Sequence, residues 1–222
     1  MSNTIQRYQL TFCAGADGCH ERAVFSRDFH SRLATLLEEL FTGPDGLAET
    51  AGHGKKTHGG FRVAVSDCPN ACSRPQIVDI GLIGASEPLV TDAQCKDCGG
   101  CVEACKEQAI TFWDGVSFPI IDDALCVRCG ACIRACPRGT LQELRHGYRI
   151  LVGGRLGRHP QLGTELSGIY DETESLELVR RIVSWYLANA RVGERLADVL
   201  NRECECPEGD FKKDIELPKI CD

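Results

Sequence analysis

The sequence predicts an α+β domain, interrupted at about residues 88–146 by a small cysteine-rich module. Three observations carry this expectation. Apolar residues recur at helical spacing over 28–42 and 174–200, and at strand-like spacing in several shorter stretches. A C-x2-C-x2-C-x3-C run occurs twice, at Cys95, Cys98, Cys101, Cys105 and at Cys126, Cys129, Cys132, Cys136. Four more cysteines are split upstream of these runs, Cys13 and Cys19 as C-x5-C, then Cys68 and Cys72 as C-x3-C.

The elements follow in order. Residues 4–12 (TIQRYQLTF) read as a strand that delivers Cys13 to a loop. Residues 28–42 place Leu33, Leu36, Leu37, Leu40 and Phe41 on one helical face, and Gly43-Pro44 ends that helix. Residues 51–60 (AGHGKKTHGG) form a basic, glycine-rich loop. FRVAVS at 61–66 is a short strand running into Cys68, and IVDIGLIG at 77–84 is a second strand leaving Cys72. The two cysteine runs lie 31 residues apart, with a hairpin-like ITFWDGVSFPII between them, which marks an internal duplication. Residues 148–152 read as a strand followed by the glycine-rich GGRLGRHP. A single long amphipathic helix is expected over 174–200, with Leu176, Val179, Ile182, Val183, Tyr186 and Leu187 on one face. The tail, 202–222, is polar and is expected to be irregular.

Composition narrows the function. The 222 residues are 43% hydrophobic, enough for a core, so the 15 cysteines are not needed to staple a coreless chain. A net charge of −7 argues against nucleic acid or an anionic membrane as the main partner. No stretch approaches the ~18 apolar residues of a membrane span. The N-terminus, MSNTIQRYQLTF, shows no apolar signal region. Cysteines in such a chain are metal ligands more readily than disulfides, and a reducing, oxygen-poor cytoplasm is the expected compartment.

Four closely spaced cysteines in one run, twice over, differ from zinc sites, whose ligands come as separated pairs. The duplicated segment resembles the bacterial 2[4Fe–4S] ferredoxins over roughly 60 residues. In those proteins the fourth cysteine of each run ligates the other cluster. The resemblance therefore implies one cluster on Cys95, Cys98, Cys101 and Cys136, and another on Cys126, Cys129, Cys132 and Cys105. Pro137 follows the second run as in the bacterial pattern, whereas the first run carries Lys106 there.

Spacing alone says less about the split set; its surroundings say more. CAGADGC, then FRVAVSDCPNACSRPQIVDIGLIG, resembles the sulfite and nitrite reductases that couple a sirohaem to a [4Fe–4S] cluster. Their pattern is C-x5-C, a strand, C-P-N-x-C, then a strand like D-I-G-x-x-G. GGRLGRHP at 153–160 and GERL at 193–196 agree with it further. A ferredoxin module inserted after the D-I-G-x-x-G strand is the arrangement of dissimilatory sulfite reductases. The resemblance thus implies a sirohaem/[4Fe–4S] reductase half-domain formed by 1–87 and 147–201, a ferredoxin-like insertion at 88–146, and a C-terminal tail. It also implies a third cluster on Cys13, Cys19, Cys68 and Cys72, with Cys72 bridging it to the sirohaem iron. A third cluster without sirohaem, or a zinc site, is the alternative for this set.

Sirohaem carries eight carboxylates and its substrate is an anion, so both call for Arg and Lys. Near the motifs lie Arg22, Lys55, Lys56, Arg62, Arg74, Arg155 and Arg158. Lys55, Lys56, Arg62 and Arg74 are the catalytic candidates; Cys72, Arg62, Arg74, Arg155 and Arg158 are the candidates for holding the cofactor. The family's basic-x-basic pair before C-x3-C is only half kept here, as Gly60-Phe61-Arg62. His20, His58 and His159 are candidate proton donors. Cys204, Cys206 and Cys221 read as free thiols. Large sulfite reductases enclose sirohaem between two similar halves, and this chain supplies one, so a homodimer sharing the pocket is one expectation and a smaller, more open site the other. The resulting reading is reduction of sulfite to sulfide, with a separate protein or cofactor as electron donor. Nitrite reduction at the same site and a non-catalytic three-cluster electron carrier are the alternatives.

Overall fold

The computed structural model describes residues 7–15, 17–25, 27–42, 60–113 and 118–205. Lys55, Lys56, His58, Cys206 and Cys221 lie outside the described residues, as does the side chain of Cys204. The order of elements is β1 (Tyr8–Phe12), α1 (Arg27–Thr42), β2 (Phe61–Ser66), a short 3-10 turn (Pro75–Ile77), β3 (Ile80–Val90), α2 (Gly100–Ala104), β4 (Ile110–Thr111), β5 (Ile120–Ile121), α3 (Ala131–Ala135), β6 (Leu141–Val152), β7 (Thr164–Glu165), α4 (Glu172–Asn189) and α5 (Leu196–Glu205). The α+β expectation holds. No described helix is long and apolar enough to cross a membrane.

The main sheet has the order β1-β2-β3-β6-β7. β1, β2 and β3 are parallel, whereas β6 returns antiparallel to β3 and β7 to β6. Strand alternation splits the sheet into two faces. Phe61, Val63, Val65, Ile80, Leu82, Tyr148, Ile150 and Val152 point to one face, where they pack against Phe29, Leu33 and Leu37 of α1 and Val179, Ile182 and Val183 of α4. Two parallel neighbours need a crossover about a dozen residues long. α1 lies within the crossover from β1 to β2. Residues 67–79 make the second, from β2 to β3, without an α-helix, and Pro75 packs on the opposite face against Gly81. There Ser66 Oγ meets Ser73 Oγ at 2.7 Å.

Three elements differ from expectation. β3 and β6 are longer than the motifs suggested and pair as far as Val90 with Leu141. The charged, exposed stretch before Gly147 hid the early half of β6. The single helix expected over 174–200 is two helices. Its apolar face continues across the break because Leu196, Val199 and Leu200 join the same core, while Gly193 at φ 86° breaks the backbone. The start of α4 is fixed by a capping box between Asp171 and Glu174. α5 also continues through Glu205, so the first residues of the expected irregular tail are helical.

Between β3 and β6, residues 91–140 hold two short helices and the β4–β5 hairpin. A separate apolar cluster there contains Cys101, Ile110, Cys132 and Leu141. The duplication is visible in the backbone: α2 and α3 each begin after a left-handed glycine, Gly99 and Gly130, and each ends at the fourth cysteine of its run.

Candidate functional site

Cys13 follows β1 directly, and its N–H donates to the Val65 carbonyl at 3.0 Å, which extends the ladder to the first cysteine. Its sulfur accepts N–H groups from Gly15 and Asp67, each at 3.3 Å. Cys68 is buried at the end of β2, Cys13 and Cys19 are half-buried, and Cys72 is exposed. Burial pushes the Cys68 thiol up, and negative charge on Cys13, Cys72 and Cys19 pushes it further, so the other three sulfurs lie within electrostatic reach of Cys68.

Asp67, only 2% exposed, is the structural pivot of this quartet. Its carboxylate meets His30 Nε2 at 2.9 Å and accepts the Tyr148 hydroxyl at 3.4 Å. Its carbonyl accepts the N–H groups of Ala23 and Val24. Burial pushes Tyr148 up, and the Asp67 charge adds to it. The glycines of D-I-G-L-I-G follow from the same packing. A Cβ on Gly81 would overlap the Pro75 carbonyl, and one on Gly84 the Asp67 carbonyl. Both glycines let the crossover that carries Cys68 and Cys72 lie directly on β3.

The duplicated runs interleave. The sulfurs that weigh on Cys101 are those of Cys95 and Cys136, whereas those that weigh on Cys132 are Cys129, Cys126 and Cys105. Cys95, Cys98, Cys101 and Cys136 line one small cavity. Cys105, Cys126, Cys129 and Cys132 line another of about 120 Å³, and Cys68, Pro69 and Asn70 form part of its wall. Burial pushes the thiol of Cys132 up to about 11 and also raises Cys101 and Cys126. At Cys136 burial works the same way, but the backbone N–H groups of Leu141, Arg138, Thr140 and Gly139 outweigh it and bring the thiol down. Further N–H groups reach sulfur at Cys95, from Asp97 at 3.4 Å, and at Cys105, from Ala109 at 3.3 Å. All twelve are free thiols, and N–H groups directed at sulfur suit the charge of an iron–sulfur cluster.

The basic candidates divide. Arg62 lies on β2 facing away from the core; its N–H donates to Asp79 at 2.9 Å, while its Nε is buried without a partner. Arg74 is exposed, in a left-handed conformation two residues after Cys72. Arg155 pairs with Asp198, again with its Nε buried and unmatched. Arg158 and His159 are exposed, and His20 pairs with Glu21 at 3.2 Å. The unmatched Nε of Arg62, on the sheet face away from the core, fits an anionic group. Two residues escaped the sequence reading although their motifs were noticed. Asp79, 1% exposed and part of D-I-G-L-I-G, is held by Arg195 of the GERL segment at 2.6 Å. That pair, together with Arg195 N–H on Asp198, ties the crossover to the start of α5.

Comparisons with known proteins agree with this architecture. The chain is 39% identical to the coenzyme F420-dependent sulfite reductase of Methanocaldococcus jannaschii over 144 residues, 64% of this chain and 23% of that protein. It is 34% identical to one subunit of the anaerobic sulfite reductase of Salmonella typhimurium over 50 residues, 22% of this chain and 15% of that one. The chain thus spans under a quarter of the length of these relatives. Among solved structures, dissimilatory sulfite reductase I (DsrI) superposes over 95% of this chain and 52% of its own, with a TM-score of 0.56 at 19% identity, and so shares the fold. The nitrite and sulphite reductase 4Fe-4S domain model matches residues 9–203. Across almost all of its described structure, then, this chain belongs to the nitrite and sulphite reductase 4Fe-4S domain family.

Proposed function

We propose that this chain reduces sulfite to sulfide at a sirohaem, using six electrons delivered through three [4Fe–4S] clusters held by the three cysteine quartets. One observation carries the reading: the quartet of Cys105, Cys126, Cys129 and Cys132 shares a cavity wall with Cys68, so the ferredoxin-like segment abuts the split quartet. The quartet of Cys95, Cys98, Cys101 and Cys136 includes the exposed Cys98, which suits entry of electrons from a separate donor protein or cofactor. The name of the Methanocaldococcus relative makes that protein F420-dependent. With clusters bound, the outer quartet would take up the electron, and the inner one would stand between it and Cys13, Cys19, Cys68 and Cys72.

Cys72, the exposed member of its quartet, is the residue whose sulfur would hold the sirohaem next to the cluster. When bound, sirohaem would supply the redox-active iron at which the anion is reduced. Arg62 and Arg74 hold its carboxylates or the oxyanion, and guanidinium suits both because it binds carboxylate and oxyanion bidentately. Arg155 and Arg158, from the 153–160 segment, would add positive charge for the cofactor's carboxylates. Nitrite, also a small anion taking six electrons, is the alternative substrate at the same site.

The test is anaerobic purification followed by an absorption spectrum and iron and acid-labile sulfide counts on one sample. A sirohaem Soret band with about thirteen irons per chain, four for each cubane and one for the haem, is expected. Sulfite and nitrite turnover are then compared. About twelve irons with only the broad iron–sulfur shoulder, even when sirohaem is supplied during expression, would make the chain an electron carrier.

A further inference from the structure

Lys106 stands where the bacterial ferredoxin run has proline, and the proposed activity leaves it without a role. Its ammonium donates to Glu21 Oε1 at 2.7 Å across 85 residues of sequence. Lys106 directly follows Cys105, and Glu21 lies two residues after Cys19. Each partner is therefore attached to a ligand loop of a different quartet. Both line the cavity whose wall also contains Cys68, Cys105, Cys126, Cys129 and Cys132. The other charged groups there are Glu107 and Arg128, and Arg128 pairs with Glu87 at 3.3 Å. Lys106 and Glu21 thus stand beside both quartets, because the wall they share holds Cys68 of one and Cys105, Cys126, Cys129 and Cys132 of the other.

We propose that the Lys106–Glu21 pair sets the reduction potentials of the two adjacent clusters together, with Lys106 favouring the reduced state of both and Glu21 moderating it. This rests on the reading that both quartets hold [4Fe–4S] clusters. Each transfer takes one electron from one cluster and gives it to the other, with no bond made or broken. A reduced cluster carries one more negative charge, so a cation beside it raises its potential and an anion lowers it. An exposed ion pair contributes little to folding, so the variants remain measurable. Glu21 Oε1 also meets His20 Nε2 at 3.2 Å, and the lysine is largely exposed, so charge rather than packing is what the pair brings to the cavity.

The experiment is an EPR-monitored redox titration of the anaerobically purified full chain, with iron and sulfide counted on each sample. Lys106→Gln should shift the midpoint potentials of both adjacent clusters negative. Glu21→Gln should shift both positive, the double variant should lie near the wild type, and Lys106→Arg should retain the wild-type values. Intact clusters with unshifted potentials, a shift confined to one cluster, or shifts of the same sign in the two single variants would overturn the inference alone. A wild-type chain with no cubane at either quartet would overturn the inference and the proposed function together.

Discussion

Arg195 reaches across 116 residues of sequence to hold the buried carboxylate of Asp79. The cost of breaking such a pair comes less from the lost attraction than from the charge left uncompensated in the interior. Replacing Arg195 by Met should therefore destabilise the fold by about 3–5 kcal/mol, read as a lower urea midpoint under anaerobic conditions. Arg195→Lys, which keeps the charge, should recover part of the loss. Cys72 poses the opposite case. It is exposed, so Cys72→Ser should leave the urea midpoint near wild type and abolish sulfite reduction in a dye-linked assay; retained turnover would refute its bridging role. The difference in what the sequence revealed has the same origin. Cysteine ligands announce themselves by local spacing, because a cluster is wrapped by a short loop. His30 and Tyr148 meet Asp67 over separations of 37 and 81 residues, and nothing in their own neighbourhoods marks them.

Among the elements, β3 does the most to organise the site. Its N-terminal half accepts the cysteine crossover against Gly81 and Gly84, and Ser86 N–H donates to the Arg128 carbonyl at 2.8 Å, gripping the loop of the second cysteine run. One strand thus sets the spacing between two ligand loops. Gly81→Ala should force the Pro75 carbonyl away and cost about 1–3 kcal/mol. The same variant should lower iron occupancy at the Cys13, Cys19, Cys68 and Cys72 quartet more than at the other two, which site-resolved EPR can separate. The core of β3 was legible in IVDIGLIG, although Ile77 belongs to the preceding turn. Its extension to Val90 was not, because pairing with an exposed, charged β6 leaves no apolar alternation to read. The helical stretch at 174–200 was legible as apolar periodicity, but periodicity reports which face is buried and not whether the backbone is continuous.

At the scale of the molecule, the chain covers about half of the dissimilatory sulfite reductase fold it matches. In the proposed function Arg62, Arg74 and Arg158 hold the anion on one face of the chain, and a second copy would complete the site. Two copies meeting across this face are the expected arrangement, so sedimentation of sirohaem-loaded protein should give the mass of a dimer. A monomeric mass with sirohaem bound and turnover intact would sink that arrangement. The resemblance that led to this reading was legible because it lay in the order of motifs along the chain; the completeness of the pocket is a property of surfaces that no motif encodes. The β3–β6 ladder carries a different consequence. Val90 and Leu141 face each other as paired residues, so the intervening 50-residue excursion leaves and re-enters the sheet about one strand spacing apart, roughly 5 Å. A segment with so narrow a footprint can be acquired or discarded by its host without moving either flanking strand, like a cassette in a slot. Replacing it by a two-residue turn would close an ordinary hairpin, and the rest of the sheet would keep its pairing and its length.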